Sequence, residues 1–253
     1  MSLFDLSGKT AIVTGSTKGI GRAIAEAFAD HGANVAISSR REEACAEVAA
    51  AINAKHPGAA IAAAANISSK EALARLVAQT RAAFGRIDIV VCNAASNPYY
   101  GPLGGIADEQ FRKILDNNIV SNHWLIQMTA PEMIARRDGA IIIVSSIGGL
   151  RGSASIGAYN VSKAADFQLA RNYAVEYGRH NVRVNCIAPG LVRTDFARAL
   201  WEDPAAEAAF RAGHPMGRIG EPGEIAGAAV FLASKAASYV NGQAIIVDGG
   251  ATV

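Results

Sequence analysis

Thr10-Ala11-Ile12-Val13-Thr14-Gly15-Ser16-Thr17-Lys18-Gly19-Ile20-Gly21 is the stretch on which the fold turns. A short apolar run stops at a glycine-rich turn, and Arg22 to His31 then follows with helical periodicity, so the segment reads as strand, turn, helix. Glycines let a backbone approach a pyrophosphate and let helix pack on strand, while a helix N-terminus offers free N–H groups and the positive end of a dipole. The spacing is G-x-x-x-G-x-G, not the commoner G-x-G-x-x-G. Taken alone it is as much a tight turn as a phosphate cradle, and its surroundings favour the cradle.

Working outward, Gly32 ends the helix and Asn34 to Ser38 reads as the second strand of a β-α-β unit. The end of that strand bears on the choice of dinucleotide. A carboxylate there suits the ribose 2'-hydroxyl of NAD, whereas this chain has Ser38-Ser39-Arg40-Arg41. A guanidinium on Arg40 suits a 2'-phosphate, and Lys18 in the turn can reach the same charge, so NADP(H) is favoured with NAD(H) as the alternative. Arg41 reads equally as a solvated helix entry.

The same rhythm continues. Glu42 to Lys55 reads as a helix, Ala59 to Ala65 as a third strand, and a helix capped by Ser68 or Ser69 runs through Phe84. Asn66 either meets the adenine or caps its own loop. Ile87 to Cys92 is a buried strand whose C-terminal loop, Asn93 to Pro102, lies where doubly wound sheets bind ligands. Tyr99 and Tyr100 in that loop either floor a substrate pocket or cover the sheet edge. A long helix is expected from Asp108 to about Arg136, kinked at Pro131, and it contains Asp116-Asn117-Asn118-Ile119, an amide pair that a helix disfavours unless something binds it. Ala140 to Val144 is a strand ending in Ser145-Ser146, and Val182 to Ile187 is another, ending at Ala188-Pro189-Gly190. The segment 191–215 departs from the rhythm and reads as a substrate lid, after which a helix from Pro222 to Ala233 and a strand from Ala244 to Val247 close the chain. Strands alternating with helices predict a single-domain α/β protein over residues 1–253, a Rossmann-type doubly wound parallel sheet of about seven strands.

Composition bounds the function. Of the 253 residues 51% are hydrophobic and 18% charged, which supports burial over disorder. A net charge of +2 with no Lys/Arg block argues against a nucleic-acid surface and for a small-molecule partner. Cys45, Cys92 and Cys186 form no C-x-x-C pair and the five histidines lack ligand spacing, so neither disulfides nor a metal site is expected. The start Met1-Ser2-Leu3-Phe4-Asp5 has no leader pattern, and no apolar run is long enough to span a bilayer. A soluble, cytoplasmic protein without membrane contacts is expected.

Tyr159-Asn160-Val161-Ser162-Lys163 places a phenol and an ammonium four residues apart, on one face of a helix. An ammonium nearby favours the phenolate and brings the phenol from near pH 10 toward the working range, which makes an acid/base. In isolation the pair more often reads as a packed tyrosine and a snorkelling lysine. Ser146 ends the strand before this helix and can sit beside Tyr159; alone it reads as a cap or turn residue.

Together these motifs resemble the short-chain dehydrogenase/reductase family over nearly the whole chain. Thr14-Gly15-x-x-x-Gly19-x-Gly21 is similar to that family's cofactor signature, and Asn93-Ala94 to its sheet-stabilising motif. The resemblance implies a catalytic tetrad: Tyr159 as acid/base, Ser146 holding the substrate oxygen, Lys163 binding the nicotinamide ribose and tuning Tyr159, and Asn118 holding a relay water. It also implies cofactor contacts at Gly15, Thr17, Lys18, Gly19, Ile20, Gly21, Ser39, Arg40, Asn66, Ile67, Asn93, Ala94, Tyr159, Lys163, Pro189, Gly190, Val192 and Thr194. Two positions depart from the family pattern: Ala95 stands where glycine is usual and Asn66 where aspartate is usual. Within the family the sequence looks most similar to NADP-dependent carbonyl reductases that also act on retinoids, though Ala251-Thr252-Val253 lacks their peroxisomal ending. The implied activity is hydride transfer between a nicotinamide and a carbonyl or secondary alcohol, by a homotetramer. A 3-oxoacyl thioester reductase or sugar dehydrogenase on the same scaffold, and a non-catalytic NADP-sensing module, are the alternatives.

Overall fold

The structure, a computed structural model, describes residues 2–253, the side chains of Ala199 and Ala206 aside. Seven strands form one parallel sheet in the order β3-β2-β1-β4-β5-β6-β7. They are β1 (Thr10–Thr14), β2 (Asn34–Ser38), β3 (Ala60–Ala62), β4 (Ile89–Cys92), β5 (Gly139–Val144), β6 (Val182–Pro189) and β7 (Ala244–Val247). The order reverses between β1 and β4, so the two crossovers leave the sheet in opposite directions there and open a crevice above the strands' C-terminal ends.

Both faces of the sheet are covered, which is why its central strands are apolar at consecutive positions instead of alternating. Val13, Ile37, Val91 and Ile142 face one layer, made by α1 (Gly19–Asp30), α2 (Glu42–Lys55) and α8 (Pro222–Ala233). Their neighbours Ile12, Ala36, Val90 and Ile141 face the other, made by α3 (Lys70–Phe84), α5 (Ser121–Arg136) and α6 (Gly157–Tyr177). Helix α3 is capped by Ser69, whose hydroxyl accepts from the Ala72 N–H at 3.1 Å.

Boundaries that differ from the sequence expectation include three with a physical consequence. Strand β3 is confined to Ala60–Ala62, an edge position where alanine's weak strand preference is met by one partner only. Helix α1 begins at Gly19, inside the glycine turn, which brings its N-terminal N–H groups to the crevice. The long helix is divided at its amide pair: α4 (Asp108–Leu115) passes through a π-turn, Asp116–Val120, into α5, which continues through Pro131 to Arg136. A π-turn shifts carbonyls off the regular ladder and commonly marks functional sites. Segment 191–215 carries a 3₁₀ turn, Asp195–Leu200, and α7 (Pro204–Ala212).

Candidate active site

The glycine turn is a fitted cradle. A Cβ on Gly21 would stand 2.4 Å from the Gly15 carbonyl oxygen and 2.5 Å from Asn93 Nδ2, so only glycine lets α1 start against the end of β1. Gly15 takes φ +67°, which also favours glycine. The Asn93 amide donates to the Thr14 and Gly15 carbonyls at 2.8 and 3.3 Å, and the Asn93 and Ala94 N–H groups donate to Thr14 Oγ1. Asn93 thus shapes the cradle from behind. The opening bounded by this turn fits the pyrophosphate of a dinucleotide, with the α1 N-terminus aimed at it.

At the end of β2, Ser39 lies against Cys45, its N–H donating to the sulfur at 3.2 Å, and Arg40 is exposed. Lys18 pairs with Asp195 at 3.1 Å, both side chains exposed. Asn66 caps its own loop, its side-chain Oδ1 accepting from the Ser68 N–H at 3.2 Å, while Ile67 packs half-buried against the core. At the other side of the crevice β6 delivers Pro189, and Gly190 fits so closely under Asp248 that a Cβ would lie 2.8 Å from the Asp248 Cα. Val192 is buried and bridges to Gly220, and Thr194 caps the 3₁₀ turn.

The predicted tetrad converges from three elements. Ser146 follows β5 as the cap of a 3₁₀ turn, Ile147–Gly149, Tyr159 and Lys163 lie on α6, and Asn118 sits in the π-turn. Ser146 accepts from the Gly148 N–H at 3.0 Å and stands beside the Tyr159 phenol, where its hydroxyl favours the phenolate. The Lys163 ammonium lies 5.6 Å from the Tyr159 ring centre and donates to the Val144 carbonyl at 2.9 Å. Asn118 is buried, and its amide donates to Ser162 Oγ at 3.0 Å and to the Ser96 carbonyl at 3.1 Å, while its oxygen accepts from the Ser96 N–H. It ties the loop after β4 to α6, with the Ser162 hydroxyl donating on to the Tyr159 carbonyl.

One expectation is corrected. Tyr159 does not sit below the ordinary phenol range: burial, the largest influence, pushes it up, and Lys163 pulls down against a nearby Asp166 that pushes up. The sequence reading missed Asp166 and its partner Asn122. Asp166 is an acid within the otherwise apolar Ala164-Ala165-Asp166-Phe167, three residues after Lys163, and that was the available signal.

Segment 191–215 reaches over this site. Phe196 lies 5.8 Å, ring centre to ring centre, from Tyr159, and the Thr194 methyl stands 3.1 Å from where a Gly19 Cβ would be. Tyr99 donates its hydroxyl to the Pro102 carbonyl, and Tyr100 is 53% exposed. Cys45, Cys92 and Cys186 are buried free thiols, and among the described residues no His/Cys/Asp/Glu cluster could hold a metal ion.

Known proteins are similar to this chain in sequence and fold. A family model described as enoyl-(acyl carrier protein) reductase matches residues 15–252. Dehydrogenase/reductase SDR family member 4 of Bos taurus is 43% identical over 97% of this chain and 88% of its own length. The chain belongs to the short-chain dehydrogenase/reductase family. Another member, 3-oxoacyl-[acyl-carrier-protein] reductase FabG of Chlamydia muridarum, is 39% identical over 97% of this chain and 98% of its own. Among solved structures, a gluconate 5-dehydrogenase from Burkholderia cenocepacia in complex with NADP and tartrate superposes with a TM-score of 0.93. It is 33% identical, with 98% of this chain and 97% of that one covered. A 7α-hydroxysteroid dehydrogenase complexed with NADH and 7-oxo glycochenodeoxycholic acid also reaches 0.93, at 36% identity over 98% and 95% of the two chains. The protein is thus an oxidoreductase of the short-chain dehydrogenase/reductase type. Family relatives hold NADP or NADH, and the glycine cradle here suits such a nicotinamide dinucleotide.

Proposed function

We propose that the protein is an NADP(H)-dependent oxidoreductase that moves hydride between the nicotinamide and an apolar ketone or secondary alcohol. The observation that carries the reading is the convergence of Ser146, Tyr159 and Lys163 at the C-terminal edge of β5, across β4 from the cradle that ends β1. The bound nicotinamide supplies or accepts the hydride. Tyr159 supplies the proton to the carbonyl oxygen in reduction and removes it in oxidation; Ser146 holds that oxygen; Lys163 holds the nicotinamide ribose and biases Tyr159. Asn118 fixes the loop after β4 against α6, and the resemblance assigns it the relay water.

The crevice rim favours apolar substrates over polyhydroxylated ones. Tyr100 and Leu103 follow β4, Leu150 follows β5, and Phe196, Leu200 and Met216 follow β6, each at least 41% exposed. Exposed large apolar side chains gathered at one sheet edge mark a binding surface. That edge suits a carbonyl reductase better than a sugar dehydrogenase, and we assign 191–215 as the lid that closes over the substrate. A 3-oxoacyl thioester, whose acyl chain is also apolar, is the second reading.

NADP(H) is assigned on charge: Arg40 after β2 and Lys18 in the glycine turn can supply cations to a 2'-phosphate, and no carboxylate stands at Ser39. We further propose a homotetramer, on the family resemblance, and a single domain that acts in the cytoplasm. The test is a panel of aliphatic and aromatic ketones, diketones, secondary alcohols, aldonic acids and 3-oxoacyl thioesters, assayed with NADPH or NADP. Turnover is expected with apolar carbonyls. Turnover confined to aldonic acids, or none in any arm with folded protein, contradicts the reading.

A further inference from the structure

Lys163 is only 2% exposed and Asp166 is wholly buried, 0% exposed. Asp166 Oδ2 accepts from the Lys163 ammonium at 3.0 Å, and Asp166 Oδ1 accepts from Asn122 Nδ2 at 3.2 Å. Asn122 in turn donates to the Asn118 carbonyl at 2.6 Å, so the π-turn, Asp166 and Lys163 form one chain of contacts. Both carboxylate oxygens face donors, an arrangement that fits the ionised acid.

We propose that Asp166 is a positioning residue for the reaction: its buried carboxylate is the counter-ion that keeps the Lys163 ammonium charged and fixed against the β5 carbonyl. The inference rests on the roles just proposed for Tyr159 and Lys163. A buried ammonium with one carbonyl partner is costly and tends to lose its proton. Burial is the largest influence on Lys163 and pulls its ionisation down; Asp166, the next largest, pushes it up, and the net lies above the ordinary lysine value.

The other groups around the pair do not replace that carboxylate. Cys92 on β4 and Cys186 on β6 are thiols that burial pushes up, hence neutral, and α5 contributes the neutral amide of Asn122, which also meets the Asn118 carbonyl of the π-turn. Strand β5 contributes the Val144 carbonyl, and α6 itself adds Tyr159 and, a turn beyond, Arg171. Among the described residues, the acid that pairs with Lys163 is Asp166.

The same carboxylate opposes Lys163 at Tyr159. Lys163 favours the phenolate while Asp166 disfavours it, so the pair delivers a charge to the site that is fixed in place and partly offset. Removing Asp166 therefore moves two ionisations. Lys163 falls toward the working range, and above that pH a neutral amine neither supports Tyr159 nor holds the ribose as a cation.

The test is Asp166→Asn in the full-length enzyme, with kcat and the KM for NADP measured for alcohol oxidation from neutral to alkaline pH. A descending alkaline limb is expected, starting at least ~1 pH unit below any such limb of the wild type, so that the loss relative to wild type grows by about tenfold or more across it. The KM for NADP rises over the same limb. A residue needed only for packing would scale the rate equally at every pH, and an unchanged profile shape overturns the proposal. Should Asp166→Asn not accumulate as folded protein, Asp166→Ser leaves room for water beside Lys163 and is read in the same way. Tyr159→Phe run in parallel separates the two readings. If it is inactive while the Asp166 variants keep the wild-type profile, Asp166 loses its role and the catalytic assignment stands; if it retains activity, the catalytic assignment itself fails.

Discussion

At the level of single residues the chemistry centres on a phenol held above its ordinary range. Burial outweighs the Lys163 ammonium, so Tyr159 stays protonated at neutral pH, the form that carbonyl reduction needs. The sign follows: reduction requires the phenol, so it persists below the Tyr159 ionisation and is lost as pH rises through it, whereas oxidation requires the phenolate and appears over that same rise. Reduction is therefore expected to peak at lower pH than oxidation of the same alcohol. Coincident optima for one substrate pair would remove Tyr159 as the titrating group. That Tyr159 and Lys163 share a helix face and that Ser146 follows a strand was legible in the sequence, because spacing fixes these placements locally. Asp166 was not: a lone acid in a helix ordinarily faces water, and only the packing of α5 on α6 turns it toward Lys163. Nor was the direction of the Tyr159 shift, since spacing reveals a neighbouring charge but not how much solvent is lost.

At the level of elements, the proposed function assigns the dinucleotide to the strand, glycine turn and helix that open the chain, and the choice between NADP and NAD to the end of β2. Apolar runs and glycines made β1 and α1 readable, but the turn's tightness came into view only with Gly21 packed on the Gly15 carbonyl. The amide pair at Asn117 and Asn118 signalled that something irregular binds there; the π-turn that resolves it is a tertiary effect, since those amides find partners in Ser96, Ser68 and Ser162 from other elements. Cofactor choice is predicted here. A charge-assisted hydrogen bond contributes about 1.5–3 kcal/mol, enough for roughly tenfold to hundredfold preference per contact. Paired kinetics should show higher kcat/KM with NADPH than with NADH, with Arg40→Ala reducing the preference and Ser39→Asp combined with Arg40→Ala reversing it. A wild type that favours NADH, or a double variant whose preference does not move, contradicts the charge argument.

At the level of the whole molecule, the parallel sheet was foreseeable from strands alternating with helices, and its order places every proposed site residue at one edge. How copies associate is not written in that alternation. The expectation of a homotetramer draws on the C-terminal region 222–250, where Tyr239 is fully exposed and Ile246 on β7 is 45% exposed. Light scattering at micromolar concentration should give four times the 26.2 kDa chain mass, and a monomer alone would reject the assembly. The central claim is that Tyr159 moves the proton while the rest of the site binds. Tyr159→Phe removes one hydroxyl and nearly preserves packing, so its NADPH affinity, followed by titration, should stay close to wild type while reduction of the best ketone in the panel collapses. A variant that binds NADPH and still turns over at most of the wild-type rate would contradict the account.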